Sequence, residues 1–426
     1  MVFETFTQAQ SFLLWSTFAI ALVMGALVNK TNFCTMGAVS DWVNMGDTGR
    51  MRAWLFAIAI AVLGVAVLEK MGLANPAAAF PPYRANQLIW AENLLGGLLF
   101  GIGMTLASGC GNKTLIRIGG GNIKSIMVLT IIASIAYFMV NPFPGTDKTL
   151  MSVLFIDWIR PLATNLKTPQ DLGSLVSADN AAQMRLIIGG VIGLALIVFA
   201  FKSSDFRGSF DNVLGGLIVG LAVVAAWYVS SNIFLNIDNQ HISIRNAVSP
   251  AAEYWDMFPE FHPAMEAKPD GAPLSPQSFT FINPMGQTLG YVANGFNRGL
   301  LTFGVMALFG VIAGSFLWSV ISRSFRIEWF ASFKDFVNHF IGAILMGFGG
   351  VLAMGCTIGQ GVTGISTLAV GSILTFVAIV FGCAITMKIQ YYKMVYEGDA
   401  TFLKAFITAL VDLKLLPAGL RQLEAV

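Results

Sequence analysis

Three of the four cysteines in this 426-residue chain occupy turns of one character: "NFCTMGAVSD" around Cys34, "SGCGNKTLIRIGGGN" around Cys110 and "MGCTIGQGVTGIST" around Cys356. Each follows a long apolar stretch. Gly109, Gly111 and Asn112 flank Cys110, and Gly355, Thr357 and Gln360 flank Cys356. A lone free cysteine is commonly a small buried hydrophobe, but three in such turns point to chemistry. A thiol in apolar surroundings keeps its proton at neutral pH and is then a weak, soft, uncharged S–H donor. Passage through a membrane needs sites good enough to enter and poor enough to leave, so weak thiol donors in series suit a soft, sulfur-bearing anion. Lysine or arginine at a constriction would hold a dianion too strongly. Lys113, Arg117 and Lys124 are therefore expected at a vestibule, where they raise the local anion concentration. Cys383, in "IVFGCAITM", lacks turn chemistry and is expected to pack only.

The glycines of "GCGNKT" and "RIGGGN" stand where the backbone can take left-handed conformations, letting successive N–H groups converge on an anion. A helix restarting after the turn would add partial positive charge. "GCGNKT" lacks the Gly-Lys-Thr adjacency of a nucleotide-binding loop, so ATP-driven transport by this chain alone is disfavoured. His241, His262 and His339 are scattered and no Cys-x-x-Cys pair occurs, so neither a metal nor another cofactor is expected. A formal net charge of +2 gives no footing for nucleic acid. Covalent use of a thiol would want an activating base or cation. Lys113, three residues after Cys110, keeps open a membrane thiol enzyme that passes persulfide sulfur to a cytoplasmic carrier.

The elements that must position these turns are membrane helices. The chain is 56% hydrophobic and 11% charged, against about a quarter charged in soluble domains. Uncharged stretches able to cross an apolar layer of about 30 Å, which takes roughly 20 helical residues, run 5–29, 53–68, 93–112, 125–146, 186–201, 212–237 and 299–322. A last one, 336–387, is long enough for two crossings. The expected fold is an all-α polytopic membrane protein of about nine transmembrane helices in a single transport domain, 1–426. Irregular backbone at membrane depth must be buried in protein or line a cavity, so the cysteine turns are expected as broken or re-entrant segments. The N-terminus shows no basic residue before its apolar run and no cleavage site after it, so no removable signal peptide is expected. With the N-terminus outside, basic residues collect on one side of the alternation, which is then cytoplasmic together with the C-terminus. Asp and Glu are absent from the uncharged stretches, and Glu69, Glu92 and Asp335 stand at edges. Proton coupling usually places an ionisable group inside. A facilitated conduit, coupling through the edge carboxylates, and coupling through a partner all remain open on this reading.

Placing Cys110 on Cys356 superposes Gly96 on Gly342, Gly101 on Gly347, Gly103 on Gly349, Ala107 on Ala353 and Gly109 on Gly355. This suggests an inverted internal repeat of the transporter kind, with an N-terminal copy over about 1–141 and a C-terminal copy over about 212–390. The polar segment 238–298, holding Asp238, Glu253, Asp256, Glu260, Glu266 and Asp270, reads as an extramembrane insertion. Residues 391–420 read as a helix at the cytoplasmic interface.

The three cysteine motifs resemble the signatures of the YeeE/YedE sulfur-transport family of bacterial inner-membrane proteins, over essentially the whole membrane portion. The resemblance implies uptake of thiosulfate by a transporter, not an enzyme, with an hourglass-like helical body. It implies that Cys34, Cys110 and Cys356 relay the anion by transient S–H hydrogen bonds. It also implies a small cytoplasmic sulfur carrier of the TusA type as partner, and some members are associated with selenium compounds. The chain departs from the pattern in its long 238–298 segment and in Cys383.

Overall fold

The computed structural model describes residues 1–249, 254–263, 265, 268–396 and 400–424. Helix α1, Phe6–Thr31, starts where the Thr5 hydroxyl accepts the Gln8 N–H at 3.3 Å and ends where Asn32 turns left-handed. Helix α2, Thr35–Ser40, widens into a π-helical turn at Asp41–Met45. Helices α3, Gly49–Lys70, and α4, Trp90–Leu106, come next, and α5, Gly111–Gly119, continues beyond Cys110. Helix α6, Ile123–Val140, is capped by the Asn122 side chain, which accepts the Ser125 N–H at 3.1 Å. Then come α7, Ala181–Phe201, α8, Phe210–Ser231, and the short α9, Ile282–Ala293. The chain closes with α10, Phe303–Ile321, α11, Phe333–Leu352, α12, Val370–Val395, and α13, Phe402–Asp412.

Among the described residues nine helical stretches are long and apolar enough to cross a membrane: α1 with α2, α3, α4 with α5, α6, α7, α8, α10, α11 and α12. The chain is a mostly helical multi-pass membrane protein, with the span count read from hydropathy. The long stretch 336–387 divides into α11 and α12 around the turn 353–369. Among the described residues two small sheets lie outside the helices: Val2–Phe3, Phe234–Ile237 and Gln240–Ser243 in one, Gln87–Leu88 and Thr164–Asn165 in the other.

Lipid offers no hydrophobic drive between helices, so close association relies on small residues that bring backbones together. A Cβ on Gly96 would stand 2.7 Å from the Gly349 carbonyl oxygen, and one on Gly349 would stand 2.6 Å from that of Gly96. Gly103 and Gly342 repeat the relation, at 2.6 Å in both directions. Helices α4 and α11 thus touch backbone to backbone at two levels. Helices α1 and α10 do the same, a Cβ on Gly25 falling 2.8 Å from Val311 Cα.

The edge carboxylates are all paired. Glu69 meets Arg84 at 2.7 Å and Arg185 at 2.8 Å, Glu92 meets Arg160 at 2.8 Å, and Asp335 meets Lys124 at 3.2 Å and His339 at 3.0 Å. The Glu69 network reaches the turn after Cys356. Arg84 Nε donates to the Thr367 carbonyl at 2.9 Å, Leu172 N–H to Leu368 at 3.1 Å, and Val370 N–H to Gln170 at 3.0 Å. Arg185 Nε holds Asp171 at 2.7 Å. Burial works against the Asp171 charge, but the Arg185 hydrogen bond and the Ser174 N–H outweigh it and hold this carboxyl below the ordinary range.

The end of segment 238–298 enters the core. Phe279, Phe281, Ile282 and Met285 are each 0% exposed, and α9 packs on α6 with Gly286 against the Tyr137 backbone. Its acidic residues Glu253 and Glu266 lie outside the described residues. At the C-terminus α12 runs on to Val395, and α13 returns so that Tyr392 Oη donates to Asp412 at 2.6 Å. Residues 397–399 of the expected interfacial helix lie outside the described residues.

Candidate functional site

The chain builds the same joint three times. Helices α1, α4 and α11 each end at a residue in the left-handed region: Asn32 (φ 49°), Ser108 (φ 58°) and Met354 (φ 55°). The N–H of the next residue reaches five residues back, from Phe33 to Val28 at 3.3 Å, Gly109 to Met104 at 2.8 Å and Gly355 to Gly350 at 2.8 Å. This closure satisfies carbonyls that a helix end leaves open. The cysteine comes next, and a new helix begins behind it: α2, α5 and the segment 357–366, whose centre Gly359–Gly364 is π-helical. Each thiol thereby stands at a helix N-terminus, where open N–H groups and the helix dipole make a positive patch.

The left-handed residues are not the glycines that the sequence singles out. Gly109, Gly111 and Gly355 provide room instead. A Cβ on Gly111 would lie 3.1 Å from Ile282 Cδ1 and 3.9 Å from Cys356 Cβ, and one on Gly355 would lie 3.3 Å from both Gln360 Cγ and Thr280 Oγ1. Gly109 faces Lys113 Cγ at 3.0 Å. In "RIGGGN" the left-handed glycine is Gly121, at φ 96°.

All four thiols are free. Cys34, Cys110 and Cys356 are 6%, 2% and 0% exposed. The Cβ position of Gly111, next to Cys110, lies 3.9 Å from Cys356 Cβ, and Lys113 of the second joint donates to Asn32 of the first, so three joints far apart in sequence meet in one interior. The Cys356 sulfur accepts the Gly359 N–H at 3.5 Å. Behind Cys34, Phe33 stacks on Trp54 at 4.7 Å between ring centroids and Trp54 on Phe376 at 5.9 Å, which braces the first joint. Cys383 is also buried, but in mid-helix, where it accepts from the Thr105 hydroxyl at 3.2 Å.

The basic residues separate into two groups. Lys113 Cγ and Arg117 Nη1 both face Gly109, beside Cys110, at 3.0 and 4.0 Å from its Cβ position, and the Lys113 ammonium donates to Asn32 Oδ1 at 2.5 Å, tying the second joint to the first. Lys124 is turned away into its pair with Asp335. Arg50, in the first turn of α3, forms a two-pronged pair with the buried Asp41, its Nη2 at 2.6 Å from Oδ1. The guanidinium lies against Gly37, three residues after Cys34. Nine residues and a turn separate Arg50 from Asp41, and no periodicity signals that pairing.

Buried polar atoms without a hydrogen-bond partner include Thr35 Oγ1, Thr357 Oγ1, Thr280 Oγ1, Asn112 Oδ1 and Gln360 Oε1. A buried polar group left unpaired costs about 1–3 kcal/mol, so such a cluster calls for an explanation. Thr357 lies beside the Cys110 thiol yet closes no hydrogen bond of normal geometry. The hydroxyls can donate to an anion. Asn112 Oδ1 and Gln360 Oε1 are acceptors and cannot. Gln360 serves position instead, its Nε2 donating to the Ala353 carbonyl at the end of α11. Thr35 and Thr280 are absent from the sequence-derived set, although the repeated Cys-Thr pairs at 34–35 and 356–357 carried a signal for Thr35.

The profile of the sulphur-transport family matches residues 30–385. The chain is 22% identical over 361 residues to the thiosulfate transporter TsuA of Escherichia coli (strain K12), covering 80% of this chain and 84% of that protein. It is 21% identical over 383 residues to the thiosulfate transporter TsuA of Spirochaeta thermophila, covering 87% and 97%. The probable transporter YedE of Salmonella typhimurium is 28% identical over 144 residues, 33% of this chain and 30% of that protein.

Proposed function

The chain belongs to the sulphur-transport family, and from that premise we propose that it moves thiosulfate, or a related sulfur-bearing anion, across a bacterial inner membrane by passing it between Cys34, Cys110 and Cys356. The observation that carries this reading is the threefold joint, which sets three buried free thiols at helix N-termini around one interior. A protonated thiol donates weakly and repels no anion, while the N-terminal patches offset the anion's charge without a fixed cation at the constriction. Lys113, Arg117 and Arg50 lie on the side of Cys34 and Cys110 and serve the mouth on the basic, cytoplasmic side, with the N-terminus periplasmic. A cytoplasmic sulfur carrier of the TusA type would receive the anion there. The reciprocal glycine contacts support an inverted repeat, because Gly96 and Gly103 meet Gly349 and Gly342, the counterparts of Gly103 and Gly96.

Uptake of radiolabelled thiosulfate into proteoliposomes tests this, with the native protein and with Cys34→Ala, Cys110→Ala and Cys356→Ala. The expected result is strong loss in the three variants and normal uptake by Cys383→Ala. Unchanged uptake in all three would sink the thiol relay. The closeness of Lys113 to Cys34 and Cys110 favours one second reading, a persulfide relay, and mass spectrometry detecting a persulfide on Cys110 after turnover would support it over non-covalent passage.

A further inference from the structure

Several buried threonines inside the long helices satisfy their hydroxyls on the preceding turn, whereas Thr35 and Thr357, directly after Cys34 and Cys356, have no partner. Thr17, Thr31, Thr114 and Thr386 donate to the carbonyl four residues back at 2.7–3.1 Å. Thr280 does not. It is 9% exposed, its hydroxyl has no partner, and its oxygen lies against Gly355 and Gly359, on either side of Cys356.

Space reaches Thr280 from the face that carries the N-terminus. A cavity of about 1290 Å³ opens there, with Gln10, Asn141, Asn294 and Arg298 on its walls. It shares Phe80, Asn283, Gln287 and Phe303 with a narrow pocket of about 10 Å³ whose lining includes Thr280. That pocket is the size of a single water site. The sequence offset that carries Cys110 to Cys356 carries Cys34 to Thr280 and Phe33 to Phe279. Both segments lead into a short helix: α2 begins directly after Cys34, and α9 begins two residues after Thr280.

From these three observations we infer that Thr280 is a specificity-determining residue of the transport path, a hydroxyl stop between the large cavity and Cys356 that stands as the counterpart of Cys34. The reading rests on the transport function proposed above. The ligand class is a tetrahedral sulfur oxyanion. Its terminal oxygen accepts the Thr280 O–H, a harder donor than a thiol, while its softer sulfur end faces the Cys356 S–H. A site built to donate to an oxygen discriminates strongly against analogues that lack one.

The test is thiosulfate uptake into proteoliposomes by the native protein, Thr280→Val, Thr280→Ser and Thr280→Cys, each checked for folding by size-exclusion profile and melting temperature. Loss of a hydrogen bond to a charged ligand predicts uptake by Thr280→Val reduced about tenfold or more, with Thr280→Ser within about twofold of native. Thr280→Cys is expected to gain one site of modification by a membrane-impermeant anionic thiosulfonate reagent, read by mass spectrometry and slowed by thiosulfate. Native-like uptake by Thr280→Val, or a Thr280→Cys variant that resists the reagent or is modified without protection by thiosulfate, overturns the role of Thr280 and leaves the transport reading standing. A native protein that takes up no sulfur oxyanion overturns the transport reading itself.

Discussion

Ser108 and Met354 hold the same left-handed turn, φ 58° and 55°, each two residues ahead of a buried cysteine. Neither is a glycine, so each joint carries conformational strain of about 1–2 kcal/mol. Strain of this kind persists where the surrounding structure over-determines it, and it clusters at functional sites.

Relieving that strain is expected to stabilise the protein. Ser108→Gly should gain about 1 kcal/mol and raise the melting temperature in detergent without reducing thiosulfate uptake. Ser108→Val, β-branched at positive φ, should lose about 1–3 kcal/mol. Thermal unfolding of the two variants side by side checks the sign of both.

The contact of Gly103 with Gly342 holds α4 and α11 together, and these helices end at Cys110 and Cys356. Gly103→Ala would place a Cβ 2.6 Å from the Gly342 carbonyl oxygen, an overpacking that costs about 1–3 kcal/mol. Uptake per folded molecule should fall as well, because the helices must part. Gly190→Ala is the control, since nothing stands within 4 Å of its Cβ position; it should be neutral or slightly stabilising by the helix preference for alanine.

Lys113 and Lys124 should behave differently although both come shortly after Cys110. Lys113→Gln is expected to raise KM several-fold, with an effect that shrinks at high salt as the mouth is screened. Lys124→Gln breaks the pair with Asp335 and should leave KM unchanged while costing about 1 kcal/mol or less. Uptake kinetics at two ionic strengths separate them.

The Asp171 carboxyl is held below its ordinary value, so its contribution to stability is fully present above the unfolded value of about 3.9 and is lost as pH falls through the lowered folded value. Melting temperatures between pH 7 and pH 3 should show the native protein losing stability at the acid end. Asp171→Asn should be destabilised by about 1–3 kcal/mol at pH 7, where Arg185 loses one of its two carboxylate partners and keeps Glu69, and should show a shallower acid loss.

How much of this was legible in the chain differs by feature. Nine spans could be read because crossing an apolar layer requires a run of uncharged residues, and such runs are local. The three cysteines stood out because Gly-Cys and Cys-Thr recur after apolar runs. The strained positions did not, since Asn32, Ser108 and Met354 share no residue type, and their backbone conformation is imposed by helix closure and by the new helix that restarts behind each cysteine. Asp41 with Arg50 and Lys124 with Asp335 were equally silent, because ion pairs across turns leave no period in the sequence.

The chain on its own shows a multi-pass membrane protein, three thiols at the ends of apolar runs, and small residues that coincide at one offset around Cys110 and Cys356. Those properties depend on residue type and spacing along the chain. Packing of the folded helices is what brings the three joints to one interior, lets glycines there provide room while other residues take the turn, and sets Thr280, from a segment that reads as a polar insertion, against the Cys356 turn. Such relations arise when helices hundreds of residues apart pack at backbone distance, and close packing is a property of the assembled whole.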